Sequence, residues 1–234
     1  MRFILLFLLL FCFNAIAQSG AFGPRETKLI LDGAARSVEY RIDNTDKKLP
    51  WLVQAWVEDA DEKKVSSLIA VPMVFRVEAS SVFSVKITKS GQLSEDKETL
   101  FWAVSNSLPG GLPTKQEKQE GKISAKLSLA YRFKVPLIYR PEALKNIPQQ
   151  PDKLVWSKDA AGAMTVHNPT RFIVQLHNVV VDKKKHQGTG VSYLLLPSTT
   201  KTLGIKPGAG SGTRIKYGVV NDYGAVKEYE GIVK

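Results

Sequence analysis

Short runs in which apolar and polar positions trade places with period two dominate the chain from residue 28 onward. Residues 37–43 put Val38, Tyr40 and Ile42 on one face and Ser37, Glu39, Arg41 and Asp43 on the other, the mark of a half-buried strand. Residues 51–57 are denser in apolar and aromatic side chains and suit a sheet interior. Further strands are predicted over 28–31, 74–77, 81–88 and 99–105, each bounded by turn or polar residues such as Asp32-Gly33 and Asn44-Thr45-Asp46. No helical periodicity long enough for a core helix precedes Pro141. Regularly spaced short strands without helices indicate an all-β antiparallel sandwich or barrel.

One alternation is longer than the rest. Ile123, Ala125, Leu127, Leu129, Tyr131, Phe133 and Val135 are separated by Ser124, Lys126, Ser128, Ala130, Arg132 and Lys134. These 13 residues are about twice the usual strand length of five or six. From Gly121 to Pro141 there are five basic residues and no acidic one. Such a strand is either the centre of a tall sandwich or a binding edge. Four prolines from Pro136 to Pro151 then disfavour any continuous element and mark a boundary. Strand signatures resume over 153–157, 164–167, 172–181, 191–196, 201–205, 214–220 and 226–233, with Lys183-Lys184-Lys185 read as a solvated turn. The chain divides on this reading into residues 18–141 and 142–234.

The N-terminus bears on the compartment. Arg2, an apolar run of 11 residues from Phe3 to Phe13, and Ala15-Ile16-Ala17 form a signal-peptide pattern, with cleavage predicted after Ala17. The run is shorter than the roughly 20 residues that span a bilayer. Cleavage removes Cys12, the sole cysteine, so neither a disulfide nor a thiol nucleophile is available to the exported chain. It also removes Arg2, leaving 32 basic and 22 acidic residues, a net +10. An exported address argues against nucleic acid as the partner of that charge. The three histidines, His167, His177 and His186, match no zinc pattern, and Gly208 to Gly212 lacks the Lys-Ser/Thr of a phosphate loop. No catalytic constellation, metal site or cofactor motif appears, and no segment points to stable membrane insertion.

At Asn44-Thr45-Asp46-Lys47-Lys48-Leu49-Pro50-Trp51-Leu52-Val53-Gln54-Ala55-Trp56 the sequence resembles the periplasmic chaperones of the chaperone/usher pilus pathway. Five further stretches agree in order: residues 72–77, Glu98-Thr99-Leu100-Phe101-Trp102 within 95–102, Leu137-Ile138-Tyr139-Arg140-Pro141, His167-Asn168-Pro169-Thr170, and Asn221-Asp222-Tyr223-Gly224. The resemblance runs from about Lys28 to the C-terminus. It implies two immunoglobulin-like β-sandwiches set at an angle like a boomerang, with no enzymatic activity. It implies pilus subunits and an outer-membrane usher as partners, and donor-strand complementation as the mode of binding. A secreted sandwich binding surface polysaccharide is the alternative.

The resemblance also assigns roles. Ile123, Leu127, Leu129, Tyr131, Phe133 and Val135 would form the donor strand that fills a subunit's open groove. The family's two basic anchors for a subunit's terminal carboxylate fall on Lys28 and on Pro136. Proline carries no charge, so Lys134, two residues earlier on the same face, is the expected substitute and Arg132 the next; Arg25 would assist Lys28. An interdomain charge network maps onto Glu98, Arg140 and Asp222. An exposed donor strand is also an edge that a second copy could cover, which leaves self-association of the free protein open. The 13-residue connection over 110–122 resembles the long-loop members, which close the neighbouring strands with a disulfide absent here.

Overall fold

The computed structural model describes residues 21–110, 129–206 and 212–234. The first half holds nine strands: β1 (Phe22–Pro24), β2 (Leu29–Asp32), β3 (Ser37–Asn44), β4 (Trp51–Asp59), β5 (Leu68–Val71), β6 (Val74–Val77), β7 (Ser81–Lys89), β8 (Thr99–Pro109) and β9 (Tyr131–Arg140). They form two sheets, ordered β1-β3-β7-β5 and β2-β9-β8-β4-β6. Every neighbour is antiparallel except β2 with β9, which run parallel with Leu29 opposite Leu137. The N-terminal segment therefore pairs first with one sheet and then with the other, tying the two together. Alternation does the rest: Tyr40, Ile42, Val53, Ala55, Val57, Val85 and Ile87 all point into one core.

The second half repeats the architecture with β10 (Val155–Lys158), β11 (Met164–Asn168), β12 (Val174–Val181), β13 (Lys184–Gln187), β14 (Tyr193–Leu195), β15 (Thr199–Thr202), β16 (Arg214–Val220) and β17 (Val226–Ile232). One sheet is β10-β11-β15; the other is β13-β12-β16-β17, with β14 also on β12. Trp156, Met164, Val166, Leu176, Val179 and Tyr217 fill its separate core. The chain is thus all-β, two immunoglobulin-like sandwiches joined through two short 3₁₀ turns, Glu142–Leu144 and Pro151–Lys153. No helix among the described residues is long and apolar enough to cross a membrane.

Both sandwiches use the same device at a strand end. Asn44, which closes β3, donates through Nδ2 to the carbonyls of Leu49 (2.8 Å) and Glu78 (2.9 Å). Asn168, which closes β11, donates to the carbonyls of Phe172 (2.8 Å) and Leu195 (2.9 Å) and accepts from the Thr170 N–H and hydroxyl. Each asparagine is fully buried and ties two loops together by donating to their carbonyls. Asn168→Ala is expected to cost about 1–3 kcal/mol, the penalty for leaving buried acceptors unpaired. Urea unfolding of the variant, followed by tryptophan fluorescence, measures it.

Three strands escape the sequence pattern, and one is displaced. β1 is too short to alternate, and β5 is cut off by Pro72. β13 is a lysine-rich edge that lacks β-formers; it exists because Asp182 and Lys183 adopt left-handed φ angles of 51° and 62°, the geometry of a two-residue hairpin. β9 runs straight through Pro136 to Arg140, contrary to the break expected there. Pro136 pairs with Trp102 of β8, while β2 begins only opposite Leu137, so the proline stands where β9 has one neighbour.

Candidate functional site

The two sandwiches meet around Arg140, the last residue of β9. Its Nε donates to Glu98 Oε1 at 2.5 Å and its Nη1 to Asp222 Oδ2 at 2.8 Å. Glu98, at the mouth of β8, is fully covered and reaches across the junction twice: its Oε2 accepts from the Ile173 N–H (2.6 Å) and its own N–H donates to the Arg171 carbonyl (2.9 Å). Gln149 supports Asp222 at 3.2 Å. The structure therefore brings Glu98, Arg140 and Asp222 into one chain of contacts between the sandwiches. Burial pushes the Glu98 carboxyl above the ordinary glutamate value, against the pull of Arg140 and the Ile173 N–H. Leu100 and Ile138 pack on Ile173 beside this network, with Trp102, Leu194 and Leu196 around them.

Lys28 stands at the same junction. Immediately before β2, its ammonium donates to the Asn221 carbonyl at 2.9 Å, next to Asp222. Burial lowers its pKa from the ordinary lysine value, opposed by the charges of Asp222 and Glu98. One hydrogen bond leaves two of its three N–H donors uncommitted to the hydrogen bonds seen here. Arg25 does not assist it: its guanidinium forms a bidentate pair with Asp43 of β3, at 2.9 and 2.8 Å, which corrects that expectation.

The outer face of β4, β8 and β9 reads as rows of three. Glu58, Trp102 and Pro136 form one row; Trp56, Val104 and Lys134 the next; Gln54, Asn106 and Arg132 the one after. Lys134 belongs to the second row by its backbone, yet its ammonium leans to 5.2 Å from the Trp102 ring centroid, at the level of Pro136. There it lies 3.1 Å from Glu58 and 2.9 Å from Glu62. Arg132 leans onto Trp56 and pairs with Glu58 at 2.7 Å. The expected spare cation at Arg132 is thus committed to a buried carboxylate, and Lys134 is held by two. Burial pushes the Glu58 carboxyl up, but the Trp56 indole N–H, Lys134 and Arg132 outweigh it and leave it below the ordinary range. Between the row at Pro136 and the second sandwich opens a cleft of about 510 Å³, lined by Trp102, Pro136, Gln175, His177, Tyr193 and Leu194 among others.

Above these rows β9 loses its cover by degrees. Val135 is 6% exposed and part of the sandwich's own core, which removes it from the expected donor set: its side chain is already spent. Phe133 packs on Phe22 of β1, with ring centroids 6.1 Å apart, and Tyr131 tilts over Trp51 at 5.2 Å. Tyr131 is nonetheless 40% exposed, and Leu129 is 53% exposed. Ile123 and Leu127 lie outside the described residues, as does most of the connection over 110–122.

Comparison with known proteins places this arrangement. The model of the pili and flagellar-assembly chaperone PapD N-terminal domain matches residues 21–145, and that of the pili assembly chaperone PapD C-terminal domain matches 149–231. The chain belongs to the pili assembly chaperone family. Among curated relatives, the chaperone protein FocC of Escherichia coli is 30% identical over 212 residues, 89% of this chain and 88% of that one. The chaperone protein PapD of Escherichia coli is 29% identical, over 85% and 80% of the two chains. Among solved structures, the Salmonella enterica SafA pilin in complex with the SafB chaperone superposes with a TM-score of 0.74 at 26% identity, over 92% of this chain and 98% of that one. The periplasmic chaperone SfaE superposes at 0.69 and 27%, over 92% and 100%.

Pilus chaperones are not enzymes, and the family gives no support to the polysaccharide-binding alternative. In this chaperone the sequence pattern left several junction residues unmarked. Glu58 sits where alternation calls for an outward side chain, yet it is 3% exposed. A carboxylate two residues after Trp56 on the same face, within reach of Arg132 and Lys134 two strands away, was the available signal. Asn221 and Gln149 act through a carbonyl and an amide, for which no pattern exists.

Proposed function

We propose that this chain is a periplasmic chaperone that takes up pilus subunits by lending them a strand and hands them to an outer-membrane usher. The reading rests on the family and on one observation of β9: from Leu137 it has a strand on each side, while above that it pairs with β8 alone and presents Tyr131, with Leu129 just before it, to solvent. Leu127 continues the same alternating face in the sequence. Apolar side chains from Leu127, Leu129 and Tyr131 would enter the subunit's groove while the main chain satisfies its open edge. Ile123 would extend the contact, with Phe133 at its base. Each buried side chain contributes roughly 1.5–3 kcal/mol before ordering costs.

The subunit's terminal carboxylate would then reach the cleft, where Lys28 and Lys134 are its anchors. Lys28 precedes Leu29, whose partner is Leu137, so it stands beside Pro136. Lys134 returns the missing charge to that level by leaning over Trp102. Glu98, Arg140 and Asp222 would fix the angle between the sandwiches and with it the shape of the cleft. Export would follow cleavage after Ala17, and the division of the chain would fall at Pro141. Sequestration of Leu129 by a second copy would protect the free protein.

Co-expression with a candidate pilus subunit tests the reading. A one-to-one complex is expected from the parent chain. Leu129→Asp should weaken it about 10- to 100-fold, by the loss of one buried apolar side chain and the burial of a charge. A subunit that stays soluble and monomeric without this protein, or a complex indifferent to Leu129→Asp, would defeat it.

A further inference from the structure

The second anchor is not vacant in the free protein. Lys134 Nζ has no solvent exposure of its own, and although Glu58 and Glu62 lie within ion-pair distance, neither oxygen is aligned to accept a hydrogen bond from it. The two carboxylates differ in kind. Glu58 is 4% exposed at its side chain; its Oε1 accepts from the Trp56 indole (2.8 Å) and from Arg132 (2.7 Å), while its buried Oε2 faces the Lys134 ammonium at 3.1 Å and stays there whatever Glu62 does. Glu62 is 66% exposed and has Lys134 as its ion-pair partner at 2.9 Å.

Glu62 is also held there deliberately. It lies in the tight turn after β4, where the Asp59 N–H donates to the Lys63 carbonyl and the Glu62 N–H to the Asp59 carbonyl. Asp59 Oδ1 accepts from the N–H groups of Asp61 and Lys63, both at 2.9 Å. Within this frame Glu62 takes a left-handed φ of 65°, a conformation that costs a non-glycine residue energy and that the turn enforces. The result is a surface carboxylate set on an ammonium that leans over Trp102, one of the side chains lining the cleft.

We infer that Glu62 is a placeholder for the subunit's terminal carboxylate: it occupies Lys134 in the free chaperone and is displaced when a chain end enters the cleft. The inference rests on the proposed subunit-binding function and names the residue that sets its threshold. Exchange of one carboxylate for another keeps the local charge constant, so Lys134 is never left buried and unpaired. The displaced Glu62, mostly in water already, loses little on release. A chain end without a carboxylate offers Lys134 no charge in return and gains nothing by displacing Glu62. The device therefore discriminates a free carboxyl terminus from an internal strand.

Two synthetic dodecapeptides of the same alternating valine–threonine sequence, one ending in a free carboxylate and one in an amide, provide the test with the full mature chain. By titration calorimetry, Glu62→Gln is expected to bind the acid peptide about three- to fivefold more tightly than the parent, the range of an exposed ion pair. The amide peptide should be unaffected, and Lys134→Ala should cancel the gain in the double variant. Asp61→Asn, which removes a neighbouring charge of the same turn, should leave both affinities unchanged. In the free protein, the ammonium resonance of Lys134 should move on Glu62→Gln and not on Asp61→Asn. An equal gain for the amide peptide, an equal gain from Asp61→Asn, or less than a twofold change with Glu62→Gln would overturn the inference while leaving the chaperone reading intact. Failure of the parent to distinguish the acid from the amide peptide would remove the carboxylate-anchoring reading and the placeholder with it.

Discussion

Arg140→Ala is expected to destabilise the protein by about 3–5 kcal/mol, the cost of breaking a buried ion pair from one side. Glu98 has no exposed side-chain surface, so without the guanidinium its charge would keep the Ile173 N–H as its hydrogen-bond donor and the charge of Lys28, without a paired cation. Asp222 retains Gln149 and is partly exposed, so it suffers less. The variant should relieve the strain by protonating Glu98, whose carboxyl burial already pushes up. A carboxyl with a raised folded-state pKa holds its proton more tightly when folded, so stability is retained at low pH and lost as pH rises through that pKa. The deficit of Arg140→Ala should therefore shrink toward pH 4 and be full at neutral pH. Glu98→Gln in the same background should recover much of the loss, because the amide can still accept from the Ile173 N–H without burying a charge. Arg140→Lys should fall between, since an ammonium cannot reach Glu98 and Asp222 with two parallel donors. Urea unfolding at several pH values measures all three, and a pH-independent deficit would show that packing against Phe172, whose ring lies 5.8 Å away, dominates instead.

The strands with clean alternation were legible from the sequence because burial on one face leaves a period of two that nothing else mimics. β3, β4, β7 and β8 start at the expected residue and end within one to four residues of the expected bound. What failed to show were elements whose existence depends on a distant partner. β13 is a strand only because β12 lies beside it, and β9 passes through Pro136 only because β2 begins one residue below. A proline rule drawn from local sequence cannot know that one side of a strand is open.

The candidate site divides in the same way. Glu98, Arg140 and Asp222 each sit inside a recognisable stretch, and 42 and 82 residues of separation from Arg140 do not matter once those stretches are matched. Val135 looks identical to Leu129 in the alternating pattern, yet one is core and the other is exposed, because the sandwich ends between them. The cations at Arg132 and Lys134 read as free in an acid-free stretch. Their acids arrive from Glu58 and the turn after β4, more than 70 residues earlier, so the local excess of basic residues misstates the charge balance.

Lys28→Ala is expected to weaken subunit capture by about 2–5 kcal/mol, roughly 30-fold to several thousandfold, as befits the loss of one partner from a desolvated charge pair. The ammonium is partly buried beside Asn221 and its pKa is lowered by that burial, so it gains more from an added carboxylate than a solvated lysine would. Folding should be little affected, because a single hydrogen bond to a carbonyl is all that the free protein loses here. Lys28→Arg should keep most of the binding, with a guanidinium fork suited to a carboxylate. Raising salt should weaken capture by the parent only modestly, since a pair inside the cleft is poorly screened. The decisive comparison uses a subunit ending in a free carboxylate and the same subunit extended by several residues, which moves the charge out of register. The parent should prefer the natural end strongly; Lys28→Ala should lose most of that preference and Lys28→Ala/Lys134→Ala the rest, because both contacts that read the chain end are then gone. If Lys28→Ala and Lys28→Ala/Lys134→Ala both retain the parent's preference, the end is read elsewhere, and Arg140 at the floor of the same junction becomes the residue to vary, with Arg140→Lys the variant that keeps its charge.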